Sequence, residues 1–220
     1  MKYQTDFKYT ERKSKATYIA KKYRAILQGS VLDVGCDQAP LRALVADPSR
    51  YLGVDIALPP VTAADRAVNL DREDLPFAAR SFDTVVCTDV LEHLERCHAI
   101  FDQLCAIANR YVIVSLPNPA RNFAQALGLN SGGVLKYYGL PVDPPADRHR
   151  WFFGADDARR FFEERGHRAG FAVDQMDAEE EETVIPSVTP WVNKHGKDVL
   201  RSSNLMSGTI WCALVRDSSR

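Results

Sequence analysis

The sequence contains few of the features that would place it in a membrane, outside the cell or on nucleic acid. No apolar stretch approaches the roughly 20 residues that a membrane-spanning helix needs, and residues 1–22 are polar and basic rather than signal-like. The five cysteines form no Cys-x-x-Cys pair, which argues against a disulfide framework and a structural zinc site. The formal net charge is -1, so no general attraction to nucleic acid is expected. These absences favour a cytoplasmic protein with a small-molecule substrate, no membrane span and no nucleic-acid partner.

A further absence concerns the turn after the first predicted strand. Residues 31–34 are strand-like, and a dinucleotide-binding turn after them would carry the pattern Gly-x-Gly-x-x-Gly. Gly35 is present, but Asp37 and Ala39 stand where glycines would be easiest to accommodate. The incomplete pattern argues against a nicotinamide-dependent oxidoreductase.

The chain shows a regular alternation of strand-like and helix-like segments. Short apolar segments predict seven strands, at residues 31–34, 51–56, 67–70, 82–88, 111–116, 171–173 and 207–215. Helical patterns predict helices at residues 15–27, 40–46, 92–109 and 155–165. This alternation implies right-handed crossovers. The predicted fold class is therefore α/β, a doubly wound, mostly parallel seven-stranded sheet with helices on both faces and the last strand antiparallel.

The domain organisation predicted from the chain is simple. Residues 1–29 form an N-terminal helical segment, and residues 30–220 form a single domain without repeats or a low-complexity linker. Within that domain, residues at about 120–150 are rich in proline and glycine and contain scattered aromatics. We interpret this stretch as an insertion on the substrate side.

Five short motifs follow one another along the chain. They are Asp-Val-Gly-Cys at 33–36, Gly-Val-Asp at 53–55, Asp-Arg-Glu-Asp-Leu-Pro-Phe at 71–77, Ser-Phe-Asp-Thr-Val-Val at 81–86 and Asp-Val-Leu-Glu-His-Leu at 89–94. Together they resemble the class I S-adenosylmethionine-dependent methyltransferases, and His-Arg-Trp-Phe-Phe at 149–153 is similar to the late substrate-side segment of that family. The resemblance covers about residues 30–175. It implies a Rossmann-like methyltransferase fold, S-adenosyl-L-methionine as the cofactor and methyl transfer to a substrate.

The resemblance also implies the cofactor contacts. Parallel strands bring their carboxyl ends to one edge of a sheet, where ligands bind. Gly35 would let the backbone approach the methionine part, Asp33 would position its amino group, and Asp55 would hold the ribose. Asp71 and the backbone of Arg72 would contact the adenine. The full predicted cofactor set is Asp33, Gly35, Cys36, Asp37, Asp55, Ile56, Asp71, Arg72, Thr88 and Asp89.

Structural alternatives exist for three of these carboxylates. Asp33 could cap the following turn, and Asp71 could be a turn residue. Asp37 could face the positive sulfonium or point to solvent, and aspartate tolerates a left-handed backbone better than most residues.

Histidines are the predicted catalytic groups, because their pKa lies near neutrality. An acceptor must be aligned about 3 Å from the methyl group and, where necessary, lose a proton. His149 follows the inserted segment and is the preferred general base, with a supporting role in an aromatic cluster as its alternative. His93 is the second candidate, with a structural role at the pocket floor as its alternative.

No metal is expected as the first interpretation, but one arrangement offers an alternative. Asp89, Glu92 and His93 have spacings that place them near one helical face. With His149 they could form a mixed oxygen and nitrogen site for a divalent metal. Some metal-dependent O-methyltransferases of this fold use a similar Glu-x-x-Glu-His group, from which Asp89 departs by one methylene.

The substrate prediction depends on the segment that ends at Phe153. Its candidate binding residues combine aromatic and basic side chains, and they are Tyr137, Tyr138, Arg148, Arg150 and Trp151. A structural aromatic cluster with solvated arginines is the alternative. We expect methyl transfer to an oxygen of a small polar acceptor, saccharide-like or phenolic. A catalytically silent cofactor-binding module acting as a partner or sensor is the alternative function.

Overall fold

The computed structural model describes residues 12–119, 137–178, 204 and 207–217. The strands within them are β1 (Val31–Val34), β2 (Tyr51–Asp55), β3 (Arg66–Ala67), β4 (Phe82–Thr88), β5 (Ala108–Leu116), β6 (Phe171–Ala178) and β7 (Ile210–Arg216). They form one sheet in the order β3-β2-β1-β4-β5-β7-β6. The insertion predicted at about 120–150 lies outside the described residues from 120 to 136, and residues 137–154 contain turns without a helix or strand.

The first five strands are parallel and the last is not. β1 pairs in parallel with both β2 and β4, β3 continues the sheet beyond β2, and β5 continues it beyond β4. β7 lies antiparallel between β5 and β6. The strand order therefore reverses between β1 and β4, which is where open α/β sheets bind ligands. The predicted fold class, including the antiparallel last strand, is confirmed.

Helices cover the two faces of the sheet. Helix α1 (Arg12–Lys22) packs on one face, where Tyr18 lies with its ring centroid 4.9 Å from that of Trp211 in β7. Helices α2 (Cys97–Ile107) and α3 (Ala155–Arg168) pack on the other face. Alternate residues of β1 point to opposite faces, so Val31 joins the α1 core and Leu32 joins the α2 and α3 core. Among the described residues, no helix combines the length and apolar character needed to span a membrane.

Several helices begin or end away from their predicted limits. The first one spans Arg12–Lys22 and is followed by turns rather than continuing to residue 27. Only a short 3-10 helix at Arg42–Leu44 forms within residues 40–46. The helix predicted at 92–109 is replaced by a 3-10 turn at Leu91–His93 and by α2, which starts at Cys97.

Tertiary contacts explain the late start of α2. The backbone N–H of Arg150 donates to the Glu92 carbonyl at 2.8 Å, and the Arg150 Nε donates to the His93 carbonyl at 3.2 Å. The Trp151 indole donates to the Leu94 carbonyl at 2.8 Å. These three carbonyls are thus bound by residues 57 to 58 positions away, instead of by the next helical turn.

The helix predicted at residues 155–165 ends later than predicted. α3 continues to Arg168, and Gly170 with φ +80° is the left-handed residue that follows it. Gly166 is buried against β7, where a Cβ would lie 2.5 Å from Cδ2 of Leu214. Its small size therefore allows the helix to approach the sheet.

Arg216 at the end of β7 stabilises the carboxyl end of α2. Its guanidinium donates to the carbonyls of Cys105 at 2.7 Å, Ala108 at 2.6 Å and Asn109 at 3.1 Å. It also lies 4.5 Å from the ring centroid of Phe171 in β6. One side chain thus satisfies helix-end carbonyls and joins them to the last two strands.

This arrangement predicts that Arg216→Lys destabilises the fold by about 1–2 kcal/mol, because lysine lacks the planar fork that serves three carbonyls. The exposed Arg168, whose ion pair with Glu164 has a separation of 3.7 Å, provides the control. Arg168→Lys should change the free energy of unfolding by less than about 0.5 kcal/mol. Urea denaturation of both variants measures the difference, and equal stabilities would contradict the role assigned to Arg216.

Candidate functional site

The carboxyl ends of β1, β2 and β4 border a cavity of about 590 Å³. This volume is within the range of about 300–1,000 Å³ that small-molecule sites occupy. The predicted site residues that line it are Gly35, Asp37, Asp55, Ile56, Asp71, Asp89, His93, Arg148 and Arg150. The structure thus brings the strand-end carboxylates and part of the predicted substrate side to one cavity.

The turn after β1 follows a left-handed path at every second residue. The φ angles are +78° at Gly35, +50° at Asp37 and +46° at Ala39. Asp37 and Ala39 therefore occupy conformations that glycine adopts at no steric cost, as expected from the incomplete glycine pattern. The backbone amides of Gly35 and Cys36 fix the turn by donating to the Val54 carbonyl, at 2.8 and 3.1 Å.

Space as well as conformation requires glycine at position 35. A Cβ there would lie 2.2 Å from Cγ2 of Val90, which also lines the cavity. Gly35 therefore lets the turn and the segment after β4 come together at the cavity floor.

Two carboxylates at the strand ends accept hydrogen bonds from the backbone and can also bind a ligand. Asp55 accepts the backbone N–H of Asp37 at 2.8 Å and that of Ile56 at 2.7 Å, one on each oxygen. Asp71 accepts the backbone N–H of Glu95 at 2.9 Å on Oδ1. Since an ionised carboxylate has about four acceptor sites, each retains capacity for a ligand.

Asp33 lies behind the turn, on the α1 side of the sheet. It lines a small adjoining cavity with Cys36 and Thr88 rather than the large one. Its side chain is buried, and the Tyr51 hydroxyl donates to it at 2.5 Å. Burial raises the pKa of Asp33 to about 6, and the hydrogen bond from Tyr51 opposes that rise.

Asp89 is held between α1 and β5. Its backbone is left-handed, with φ +54°, and its carboxylate accepts the Ser115 hydroxyl at 2.9 Å and pairs with Lys15 of α1. Lys15 also lines the small cavity that contains Asp33. Lys15 was not predicted as a site residue, because nothing local in the sequence indicates that it reaches a strand end.

A cluster of polar and aromatic side chains borders the cavity through His93 and Asp147. The Nδ1 atom of His93 lies 2.6 Å from Oδ1 of Asp147, and its Nε2 atom lies 3.5 Å from Oε1 of Glu92. His149 lies behind it with ring centroids 4.6 Å apart, and Tyr138 places its hydroxyl 2.6 Å from Nδ1 of His149. His93 lines the cavity, whereas His149 is buried in the cluster.

The two histidines differ in charge preference. Burial lowers the pKa of His93, but Glu92 and Asp147 outweigh it and leave that pKa above its usual value. Burial and the neighbouring His93 lower the pKa of His149 to about 4. His149 is therefore neutral at physiological pH.

Of the residues in the predicted metal alternative, Glu92 and His149 lie close to His93, whereas Asp89 makes other contacts. One ligand atom from each of Glu92, His93 and His149 lies within 4.8 Å of the others. Glu92 is buried, and neither of its carboxylate oxygens has a hydrogen-bond partner among the described residues. Asp89, the fourth residue of the predicted metal alternative, bonds to Lys15 and Ser115 instead.

The predicted substrate residues lie in different surroundings. Arg148 and Arg150 line the large cavity, and Arg150 also pairs with Glu95 at 2.8 Å. Tyr137 stacks on His149 with centroids 4.3 Å apart. Trp151 lines a separate cavity of about 210 Å³.

One predicted residue, Arg72, does not line the cavities, and two residues of the site were not predicted. Arg72 lines neither of the two cavities at the strand ends, and its backbone N–H donates to the Asn69 carbonyl at 2.9 Å. Sequence reasoning missed Asn69, which lines the large cavity, and Asp147, which orients His93. Asp147 precedes His149 by two residues, and that proximity was the available signal.

Comparisons with known proteins agree with this geometry. The family model for the methyltransferase domain matches residues 10–175. No curated protein matches the sequence significantly. The solved structure of the magnesium protoporphyrin IX methyltransferase from Synechocystis PCC 6803, determined with bound S-adenosylhomocysteine, is similar with a TM-score of 0.56 and 16% identity, over 97% of this chain and 90% of that one.

Two other solved structures show the same fold. An S-adenosylmethionine-dependent methyltransferase from Archaeoglobus fulgidus gives a TM-score of 0.57 and 17% identity, over 94% of this chain and 95% of that one. The methyltransferase domain of the bacterial CtHen1-C gives a TM-score of 0.57 and 18% identity, over 94% and 98%. The family match covers more than half of the chain and includes every strand end that lines the cavity. The protein belongs to the methyltransferase domain family and is a class I S-adenosylmethionine-dependent methyltransferase.

Proposed function

We propose that the protein transfers the methyl group of S-adenosylmethionine to an oxygen of a small polar acceptor, saccharide-like or phenolic. The observation that supports this most is the shared cavity, whose lining includes Asp55 and Asp71 as well as His93, Arg148 and Arg150. A cavity of about 590 Å³ suits a cofactor with a small acceptor group. We also propose a cytoplasmic setting, because the five cysteines are all free and buried.

The residues present fit the cofactor part by part. Asp55 accepts the ribose hydroxyls, and Asp71 accepts from the adenine amino group. The glycine at position 35 admits the methionine chain beside the backbone. Asp33 and Lys15, which line the small adjoining cavity, offer opposite charges for the amino and carboxylate groups of that chain.

A second group of residues, His93, His149 and Arg148, serves the acceptor. The cofactor supplies an activated methyl group, so the protein has to align the acceptor and exclude water. His93 faces the cavity, His149 supports it from behind, and Arg148 carries a positive charge at the cavity wall. An acceptor hydroxyl placed against His93 would lose its proton to that imidazole as its oxygen bonded to the methyl carbon, and the electron pair of the breaking carbon–sulfur bond would stay on sulfur.

Removal of the ribose-binding carboxylate should weaken cofactor binding. Asp55→Ala loses both the charge-assisted hydrogen bonds to a ligand and the bond that fixes the Asp37 amide, so we expect an increase in Kd of about 10- to 100-fold. Asp74→Ala removes an exposed carboxylate that pairs with Arg96 outside the site and should leave Kd unchanged. Isothermal titration calorimetry with S-adenosylhomocysteine measures both, and equal affinities would contradict the assignment of Asp55.

Gly35 and Gly170 form a matched pair for testing the turn. Both have φ near +80°, but an added Cβ meets Val90 at position 35 and nothing within 4 Å at position 170. Gly170→Ala should therefore cost about 1–2 kcal/mol of stability and leave cofactor affinity intact. Gly35→Ala should in addition abolish detectable cofactor binding by calorimetry. If Gly35→Ala bound the cofactor as tightly as Gly170→Ala, the close approach of the turn would not matter for binding.

The protonation of Asp33 predicts a pH dependence. Asp33 faces Tyr51 of β2, and it feels the charges of Asp55 and Arg42, while Lys15 of α1 lines the same small cavity. Its raised pKa of about 6 means that it is protonated below that pH and anionic above it. Because only the anion attracts the ammonium group of the cofactor, affinity should rise as pH increases from 5 to 7.

Asp33→Asn supplies the control for that pH profile, because its amide does not titrate. The variant should bind the cofactor weakly at every pH between 5 and 7, without the rise expected of the unsubstituted protein. Calorimetric Kd values at several pH values measure both profiles. A rise of the same size in Asp33→Asn would assign the titration to another group.

A further inference from the structure

We infer that Tyr51, held in place by Arg42, is a positioning residue that orients the Asp33 carboxylate for the amino group of the cofactor. The inference rests on the proposed function only for the identity of the ligand at Asp33. Neither Tyr51 nor Arg42 lines the two cavities at the strand ends, so both act through Asp33 rather than by touching the cofactor. Their role is argued from the pairing of β1 with β2, from the hydrogen bond to Asp33 and from the contacts of Arg42.

The parallel pairing of β1 and β2 places Tyr51 within reach of Asp33. Asp33 lies opposite Gly53 in the register, and Tyr51 is two residues before Gly53, on the same face of the sheet. A Cβ at position 53 would lie 2.7 Å from Sγ of Cys36 and 3.4 Å from Cε1 of Tyr51. The absence of a side chain at Gly53 therefore leaves room for the Tyr51 ring, whose hydroxyl reaches diagonally across to the carboxylate.

The hydrogen bond between these two side chains is buried. The Tyr51 hydroxyl donates to Oδ2 of Asp33 at 2.5 Å, and both residues are 6% exposed. Burial and the neighbouring Asp33 raise the pKa of Tyr51 well above its usual value, so the hydroxyl keeps its proton and acts as a donor. Because Oδ2 accepts this bond, the carboxylate is held in one orientation and Oδ1 keeps its acceptor sites for a ligand.

Arg42 covers the Tyr51 ring and is itself anchored to β2. Its guanidinium carbon lies 4.9 Å from the ring centroid, and its Nη2 donates to Oδ2 of Asp65 at 2.6 Å. The same oxygen of Asp65 accepts the backbone N–H of Gly53 at 2.7 Å, and the Asp65 N–H donates to the Gly53 carbonyl at 2.8 Å. Because a cation is attracted to the face of an aromatic ring, the anchored guanidinium keeps Tyr51 directed at Asp33.

The same contacts favour the ionised form of Asp33. Burial is the main cause that raises the pKa of Asp33 to about 6, and the charge of Asp55 acts in the same direction. The hydrogen bond from Tyr51 and the charge of Arg42 both lower that pKa. Other titratable or charged groups line the small cavity or act on Asp33, and they are Lys15 of α1, Cys36 and Asp37 of the turn, Cys87 of β4 and Asp89 after it. Burial raises the pKa of both thiols, which therefore stay neutral.

The contribution of Tyr51 matters because the pKa of Asp33 is close to neutrality. A pKa of about 6 leaves Asp33 largely ionised at pH 7, but a further rise would protonate much of it there. Only the anion makes a charge-assisted hydrogen bond with an ammonium group. A carboxylate that is ordered before binding also loses less conformational entropy when the ligand arrives. Tyr51 and Arg42 thus prepare both the charge and the orientation of Asp33.

Tyr51→Phe and Arg42→Gln test the assignment in the full-length protein. Carbon-13 NMR titration of the cofactor-free protein, with the Asp33 signal assigned by its loss in Asp33→Asn, should show a pKa of Asp33 about one pH unit higher in Tyr51→Phe. The Kd for S-adenosylhomocysteine should then be about fivefold higher than in the unsubstituted protein at pH 6, and within about twofold of it at pH 8, where Asp33 is ionised in both. Arg42→Gln should shift both measurements in the same direction.

Tyr111→Phe and Arg110→Gln are matched controls for these variants. Arg110 lies 4.9 Å from the ring centroid of Tyr111, the same separation as between Arg42 and Tyr51, but this pair is on β5, two strands away from β1. Both control variants should leave the pKa of Asp33 and the Kd at each pH unchanged.

The outcomes separate this inference from the proposed function. A pKa of Asp33 in Tyr51→Phe equal to that in Tyr111→Phe would overturn the inference, and so would a Kd raised by the same factor at pH 6 and pH 8, which a merely structural loss produces. Circular dichroism identifies variants that fail to fold, and the partly exposed Arg42 allows Arg42→Gln to decide if Tyr51→Phe is one of them. Failure of the unsubstituted protein to bind S-adenosylhomocysteine would count against the proposed function, whereas the NMR titration would still decide whether Tyr51 controls Asp33.

Discussion

The bond between Asp55 and the backbone of Asp37 is the constraint on which the site depends. At 2.8 Å it ties the end of β2 to a turn that runs through three left-handed residues, two of which are not glycine. The amides of Gly35 and Cys36 add bonds to the Val54 carbonyl from the same turn. Because these bonds hold a strained backbone in place, the cavity floor keeps its shape despite the missing glycines.

The rest of the site is arranged around that floor. Parallel strands bring Asp55, Asp71 and Asp89 to one edge of the sheet. Helix α1, which packs on one face of the sheet, places Lys15 against Asp89. The acceptor side is built differently, because residues 145–151 fold back on the 3-10 turn after β4. The packing of Arg150 and Trp151 onto that turn positions the histidines.

The sequence predicts those strands and site residues that depend on the local pattern of residues. β4 spans Phe82–Thr88 as predicted, since a bounded apolar segment of that length leaves little ambiguity. The strand-end aspartates followed from the alternation of elements and from the family motifs. The helix predicted at 92–109 began too early, because carbonyls 92–94 bond to residues distant in sequence. Lys15 and Asn69 were missed for the same reason, since only the tertiary fold brings them to the cavities.

We propose that S-adenosylmethionine binds in the cavity at the ends of β1, β2 and β4. A crystal structure of the protein soaked with S-adenosylhomocysteine would show whether it does. We expect the ribose against Asp55, the adenine beside Asp71, and the amino acid part along Gly35 toward Asp33 and Lys15. Density for the ligand at any other place, or a cavity that stays free of it at saturating concentration, would show that this is not the cofactor site.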